Sequence, residues 1–191
     1  MRLIMLGPPG AGKGTQAALV SQAHGIPAIS TGDIFRANIA GQTPLGLQVK
    51  EITASGGYVP DEITNAIVAE RLAEDDAAQG FLLDGYPRTT GQVEALDTML
   101  AGSGHALDAV VELTVDTDEV VSRLLARAVE QGRADDTEDV IRERMRIYAE
   151  ETAPLAAVYR ERGLLTQVDG MGSVQDVTAR IEAALSRASR A

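Results

Sequence analysis

Gly7-Pro8-Pro9-Gly10-Ala11-Gly12-Lys13-Gly14-Thr15 follows the apolar run at residues 3–6 directly and leads into a stretch, 14–24, with helical patterning. Strand, glycine loop and helix in that order are the setting in which G-x-x-x-x-G-K holds phosphate. Glycines let successive backbone N–H groups turn inward on phosphate oxygens, and the helix N-terminus adds positive potential. Lys13 supplies a point charge to the β and γ phosphates. With 19 glycines in 191 residues and lysine only at 13 and 50, the pattern arises by chance about 0.02 times in such a chain. The bland alternative is a tight turn beside an exposed lysine. Position 14 is glycine where the general pattern has Ser or Thr, and Thr15 comes one residue later, so the usual hydroxyl ligand of Mg²⁺ is displaced.

Outward from the loop, apolar runs too short for helices recur at 3–6, 27–30, 81–83, 110–115 and 164–168 and read as five strands. Longer amphipathic stretches lie between and after them, at 14–24, 62–74, 90–101, 118–129, 138–162 and 174–187. Strand and helix alternate, which predicts an α/β fold: a P-loop three-layer architecture with a five-stranded parallel sheet and helices on both faces. Punctuation agrees, with Gly25 after the first helix, Asp61 after Pro60, and Ser173 with Asp176 opening the last helix. Two segments exceed a minimal β-α-β rhythm. One, 30–59, inserts two short helical stretches broken by Gly41, Pro44, Gly46, Gly56 and Gly57; the other is a polar flap within 126–136 that carries Arg133 beside Asp135 and Asp136. Residues 1–191 read as a single core with these two additions, without repeats or a linker.

Composition narrows the function. The chain is 45% hydrophobic and 24% charged with a mean hydropathy of -0.03, which a compact domain with a sizeable core would show. A net charge of -11 repels phosphate backbones and anionic lipid, so neither nucleic acid nor membrane is an expected partner. No cysteine is present and the only histidines are His24 and His105, which leaves no basis for a zinc site or thiol catalysis. With no long apolar leader at its start, the chain is expected in the cytoplasm. A GTPase needs an N-K-x-D base reader, and Lys50 stands in Q-V-K-E, so small-molecule kinase is the surviving enzyme class.

Two further residues stand out on physical grounds. Asp84 ends the third strand after F-L-L, the place of a carboxylate that holds Mg²⁺, here through water because Mg²⁺ dehydrates reluctantly; capping the next turn is the alternative. Arg88 follows the same strand end in D-G-Y-P-R, where ligands of parallel sheets gather. Arg36 and Arg123, taken alone, read as partners of surface acids, and His24 as a helix end.

At G-P-P-G-A-G-K-G-T (7–15), T-G-D-I-F-R (31–36), L-D-G-Y-P-R-T (83–89), R-A-D-D (133–136) and Y-A-E-E-T-A-P-L (148–155), the sequence closely resembles the adenylate kinase family over nearly its whole length. The resemblance implies reversible transfer of the γ-phosphoryl of MgATP to AMP, giving two ADP, in adenine nucleotide homeostasis, by a monomeric enzyme with a short lid that lacks the zinc-holding insertion of some members. It implies that Gly10, Ala11, Gly12, Lys13, Gly14 and Thr15 surround the ATP phosphates, with Arg127 and Gly172 near the ATP base or phosphates. It implies AMP contacts from Thr31, Arg36, Gly57, Tyr58, Val59, Gly85, Tyr86, Pro87, Arg88, Gln92, Arg133 and Arg144. Catalysis then falls to Lys13, Arg88, Arg127, Arg133 and Arg144, with Mg²⁺ at Asp84, while Asp135 and Asp136 resemble lid aspartates that organise the closed site. A phosphate monoester has a second pKa of about 6, so the acceptor is already largely ionised and no side-chain base is expected. A UMP or CMP kinase of the same fold and a nucleotide-binding regulatory module are the competing readings. Thr31 and Gln92 favour AMP over the first, and joint retention of Lys13, Asp84, Arg88, Arg133 and Arg144 speaks against the second.

Overall fold

The structure is a computed structural model that describes residues 1–116, 119–125 and 137–188. Five strands, β1 (Arg2–Leu6), β2 (Ala28–Ser30), β3 (Phe81–Asp84), β4 (Ala109–Thr114) and β5 (Leu165–Asp169), form one sheet in the order β2-β3-β1-β4-β5, every neighbouring pair parallel. The helices are α1 (Lys13–His24), α2 (Thr31–Ala40), α3 (Pro44–Ala54), α4 (Asp61–Leu72), α5 (Thr90–Gly102), α6 (helical over 119–125), α7 (Glu138–Ile147), α8 (Leu155–Glu161) and α9 (Val174–Ala188).

Alternation along β1 sorts the core into two layers. Leu3 and Met5 join Ala17 and Val20 of α1 and Val177, Ile181 and Leu185 of α9 on one face. Ile4 and Leu6 join Val68 of α4, Val93 and Leu96 of α5, and Leu155 and Tyr159 of α8 on the other. A period of two in the strand thus feeds two helix layers, as a sheet buried on both faces requires. Each such aliphatic side chain contributes roughly 1.5–3 kcal/mol by leaving water, offset by the ordering of the chain.

That sorting also locates the cleft. The chain leaves β1 toward the α1 layer and leaves β3, its sheet neighbour, toward the α5 layer. Their carboxyl ends therefore diverge, and open α/β sheets bind ligands at such a switch point.

The insertion at 30–59 folds as α2 and α3 around Phe35, Val49 and Val59, a small cluster of its own. The two helices touch closely: a β-carbon on Gly46 would stand 2.0 Å from the Asn38 carbonyl oxygen. Ser30 caps α2 through the Asp33 amide, and Thr43 caps α3 through that of Gly46.

One expectation needs correction. The stretch 138–162 is not one helix: α7 ends at Ile147, Tyr148–Thr152 forms a π turn, and α8 begins at Leu155. Pro154 has no N–H to continue the ladder, and the Ala153 amide reaches back five residues to the Tyr148 carbonyl at 2.8 Å. The S-x-x-D opening of α9 takes its expected form, with Ser173 Oγ accepting from the Asp176 amide at 3.2 Å and donating to Asp176 Oδ2 at 2.7 Å. The expected flap at 126–136 and the end of the helix read at 118–129 lie outside the described residues.

Candidate active site

The glycine loop sits between β1 and α1. Gly12, at φ 87°, is the N-cap of α1 and offers no side-chain acceptor, and the first turn carries no acidic residue. The earliest helical hydrogen bond in α1 runs from the Gln16 amide to the Gly12 carbonyl at 3.0 Å, so the amides of Lys13, Gly14 and Thr15 precede the ladder. Backbone donors ahead of the helical ladder, at a helix end whose first turn carries no carboxylate, make this end suited to an anion. Lys13 Nζ donates to the carbonyls of Gly7 and Pro8 at 2.8 and 2.9 Å, which holds its charge over the loop. Ala11 departs from the expected ring of contacts: its amide donates to the Pro8 carbonyl at 3.1 Å and its methyl is buried in the α1–α9 layer.

Gln16 was not foreseen. It is 3% exposed, its amide nitrogen donates to the Val174 carbonyl at 3.0 Å and its oxygen accepts from Thr178 Oγ1 at 2.7 Å. The first turn of α1 is thereby tied to the first turn of α9. Nothing in a G-K-G-T-Q string distinguishes this glutamine from a solvated one before α9 is in place.

Opposite the loop, residues 84–88 leave β3 and build the second wall. Thr31 Oγ1 and Arg88 Nε both donate to the Gly85 carbonyl, at 2.9 and 2.7 Å. The Arg88 amide donates to Gln92 Oε1 at 2.8 Å, Gln92 Nε2 donates to Asp61 Oδ1 at 2.7 Å, and Thr89 Oγ1 donates to Asp61 Oδ2 at 2.7 Å. One carboxylate in the first turn of α4 therefore fixes the loop that carries Arg88. Tyr86 corrects an expectation. Its side chain is 1% exposed and faces the α4–α5 layer, where its hydroxyl is directed at Asn65 Oδ1 (2.7 Å) and the Gln92 carbonyl (3.2 Å), so it supports the wall from behind instead of touching the cleft. Burial, and secondarily the Asp61 charge, push the Tyr86 phenol well above its ordinary value.

Between the walls lies a cleft of about 1300 Å³. Gly10, Gly12, Lys13, Gly14, Thr15, Thr31, Arg36, Gly57, Tyr58, Val59, Asp84, Gly85, Pro87, Arg88, Gln92 and Arg144 all line it, so the structure brings together most residues singled out in the sequence. Among the described lining residues, Lys13, Arg36, Lys50, Arg88, Arg123 and Arg144 face only two carboxylates, Asp33 and Asp84. In a chain of net charge -11, that concentration of positive charge is the site's dominant electrostatic feature. The volume exceeds the roughly 300–1,000 Å³ of a pocket for one drug-sized ligand.

Four residues fall differently from the sequence reading. Arg123 does pair with an acid, Glu119, at 3.0 Å, yet it also donates to the Gly170 carbonyl at 3.3 Å and lines the cleft. Gly172 is not on the cleft lining; Arg123 reaches the preceding Gly170 and Met171 instead. Lys50 is a lining residue that no motif flagged, although its rarity in an acidic chain was a signal. Tyr148, at the start of the π turn, also lines the cleft, and burial, with Glu112 and Tyr58 adding, raises its phenol to about 12. It is a neutral donor at physiological pH. Arg36 keeps an exposed ion pair with Asp33. Arg127, Arg133, Asp135 and Asp136 lie outside the described residues.

The donor set at Asp84 can be tested against Mg²⁺. A β-carbon on residue 14 would stand 3.5 Å from Asp84 Oδ2, so the glycine in place of Ser or Thr leaves room beside the carboxylate. Among the described residues no three His, Cys, Asp or Glu side chains cluster to hold a metal ion directly. Room for water beside one oxygen donor fits Mg²⁺, which keeps most of its hydration shell and takes the rest from phosphates.

A family model described as adenylate kinase matches residues 5–164, which includes both walls of this cleft. The chain belongs to the adenylate kinase family. It is 62% identical over 185 residues to the adenylate kinase of Nocardioides sp., covering 97% of each chain. With that of Kocuria rhizophila it shares 59% over 186 residues, 97% of this chain and 99% of the other, and with that of Pseudarthrobacter chlorophenolicus 54% over 190 residues, 100% and 99%. As an adenylate kinase it is a nucleoside monophosphate kinase, an ATP:AMP phosphotransferase. No helix among the described residues is long and apolar enough to cross a membrane.

Proposed function

We propose that the cleft holds ATP and AMP at once, the ATP phosphates on the loop at 10–15 and the AMP phosphate at Arg88 and Arg36, with the AMP base and ribose along the backbone of 57–59, Thr31 and Gln92. The observation that carries this is the excess of cationic side chains on both walls of one cleft in an acidic protein. The acceptor phosphate, largely dianionic at neutral pH, attacks the γ-phosphorus of ATP in line. The bond from the acceptor oxygen forms as the β–γ bridging bond breaks, and two ADP result. No proton has to be removed, which suits a cleft whose described lining contains no histidine and no glutamate. Lys13, Arg88 and Arg144 spread the charge of the transferring group, joined by Arg127 and Arg133 from the lid proposed at 126–136. Asp84 would hold Mg²⁺ through water, and the ion, when bound, neutralises the β and γ oxygens. The protein acts as a cytoplasmic monomer with residues 30–59 as its AMP-binding lobe.

A coupled assay of ATP with AMP, UMP, CMP and GMP tests the acceptor. AMP gives the highest kcat/KM; a pyrimidine monophosphate above AMP would reassign the second wall. Arg88→Ala lowers kcat/KM for AMP by about 10²-fold or more, because a charge-assisted contact to phosphate is lost, and it leaves the KM for ATP nearly unchanged.

A further inference from the structure

Arg88 presents an unusual balance of contacts. Its Nε is engaged by the Gly85 carbonyl, and among the described residues it makes no salt bridge. Instead its guanidinium carbon stands 4.9 Å from the centroid of the Tyr58 ring. A carboxylate in that position would hold the arginine by its edge donors and neutralise it. An aromatic face holds the cation through the ring quadrupole and leaves the Nη edge open for a phosphate fork.

The same tyrosine holds the other end of residue 88. Thr152 Oγ1 lies 2.9 Å from the Arg88 carbonyl and 2.8 Å from the Tyr58 hydroxyl. A carbonyl only accepts, so the single threonine proton goes to Arg88, and Tyr58 must donate to Thr152. Thr152 is 6% exposed and belongs to the π turn, whereas Tyr58 belongs to the segment between α3 and α4. Ring and hydroxyl of one side chain thus act on the guanidinium and, through Thr152, on the backbone of the same arginine.

We infer that the Tyr58 side chain is a positioning residue for the acceptor phosphate: it sets the guanidinium of Arg88 before AMP arrives, without using the donors that AMP needs. This rests on the placement of the AMP phosphate at Arg88 proposed above, and it goes further by giving the tyrosine ring a role exerted through Arg88 and not through AMP. Without the ring, the arginine samples more rotamers, and ordering them weakens AMP binding without touching the ATP wall.

Steady-state kinetics on Tyr58→Leu, Tyr58→Phe, Arg88→Ala and the Tyr58→Leu/Arg88→Ala double variant provide the test. Tyr58→Leu lowers kcat/KM for AMP about two- to fivefold, the size of one partly solvated cation–π contact, and leaves the KM for ATP unchanged. Tyr58→Phe, which keeps the ring and loses only the bond to Thr152, restores most of the AMP kinetics. The double variant is no worse than Arg88→Ala alone, because the ring acts through the arginine. Unchanged AMP kinetics in Tyr58→Leu, an equal loss for ATP and AMP, a Phe variant as impaired as Leu, or additive losses in the double variant would each overturn the inference. Normal AMP kinetics in Arg88→Ala would overturn the acceptor reading itself, and this inference with it.

Discussion

Gly10 and Gly12 share a backbone requirement but not a surrounding, which makes them a controlled pair. Both sit in the left-handed region, at φ 83° and 87°. An alanine at either costs roughly 1–2 kcal/mol for that conformation alone. At Gly12 a β-carbon would meet nothing within 4 Å, whereas at Gly10 it would stand 2.8 Å from Leu124 Cγ and 3.0 Å from the Val120 carbonyl oxygen. Both contacts come from α6, and Leu124 is itself fully buried against Val120 and Ile141. Neither a backbone oxygen nor a branched carbon in a packed cluster can give way cheaply, and overpacking of this kind costs roughly 1–3 kcal/mol more. For a chain of this size each kcal/mol lowers Tm by roughly 2–4 °C. At about 3 °C per kcal/mol, Gly12→Ala should therefore lower Tm by about 3–6 °C and Gly10→Ala by about 6–15 °C, measured calorimetrically without nucleotide. Gly12 lines the cleft and a β-carbon there would meet only open space, so this variant should lose more ATP affinity than its modest stability loss suggests. Equal melting temperatures for the two variants would refute the claim that the phosphate loop is braced from behind by α6.

Lys13→Ala should reduce kcat by about 10²- to 10⁴-fold while its circular-dichroism melt stays near that of the parent, since its ammonium bonds the carbonyls of Gly7 and Pro8 at the surface of the cleft and is no part of the hydrophobic core. A kcat within threefold of normal would remove the loop from the chemistry. Gln16→Leu keeps the bulk but removes the two bonds that tie α1 to α9, leaving the Thr178 hydroxyl and the Val174 carbonyl to each other at 2.9 Å; a loss of about 1–2 kcal/mol in denaturant unfolding is expected, together with a raised KM for ATP and an unchanged KM for AMP. A compound joining two adenosines through a phosphate chain should protect the amides of residues 31–59 from hydrogen exchange more than ATP alone does. Equal protection by both would mean that this segment does not respond to the acceptor site.

The fold was readable because its signals are local. Short apolar runs between amphipathic stretches gave all five strands within a residue or so, and the glycine loop fixed which strand comes first in the site. The π turn escaped because a single proline inside a long helical pattern reads as a kink, and the five-residue backbone reach of Ala153 has no sequence signature. The cleft residues carried by motifs came together, but their orientations did not follow from the motifs. D-G-Y-P-R shows Tyr86 and Arg88 two residues apart and says nothing about which faces the core; the partners outside the motif, Asn65 21 positions away and the Gln92 carbonyl, decide it. Gln16, Asp61 and Thr152 matter through contacts across 28 to 162 positions of chain, and no local pattern encodes such pairings.

The close approach of α2 and α3 has a mechanical meaning. With no room for even a methyl group between Gly46 and the Asn38 carbonyl, and with Thr43 bound to Asn38 by both its side chain and its amide, the pair cannot shear along its interface. The segment is a stiff lever. Any displacement imposed at its Tyr58 end is transmitted whole to Arg36 on α2, and bending is confined to the two places where the lever meets the sheet core, after Ser30 and before Asp61. A substitution that loosened the helix pair, such as Gly46→Ala, would turn that lever into a spring, and a push at one end would no longer arrive at the other.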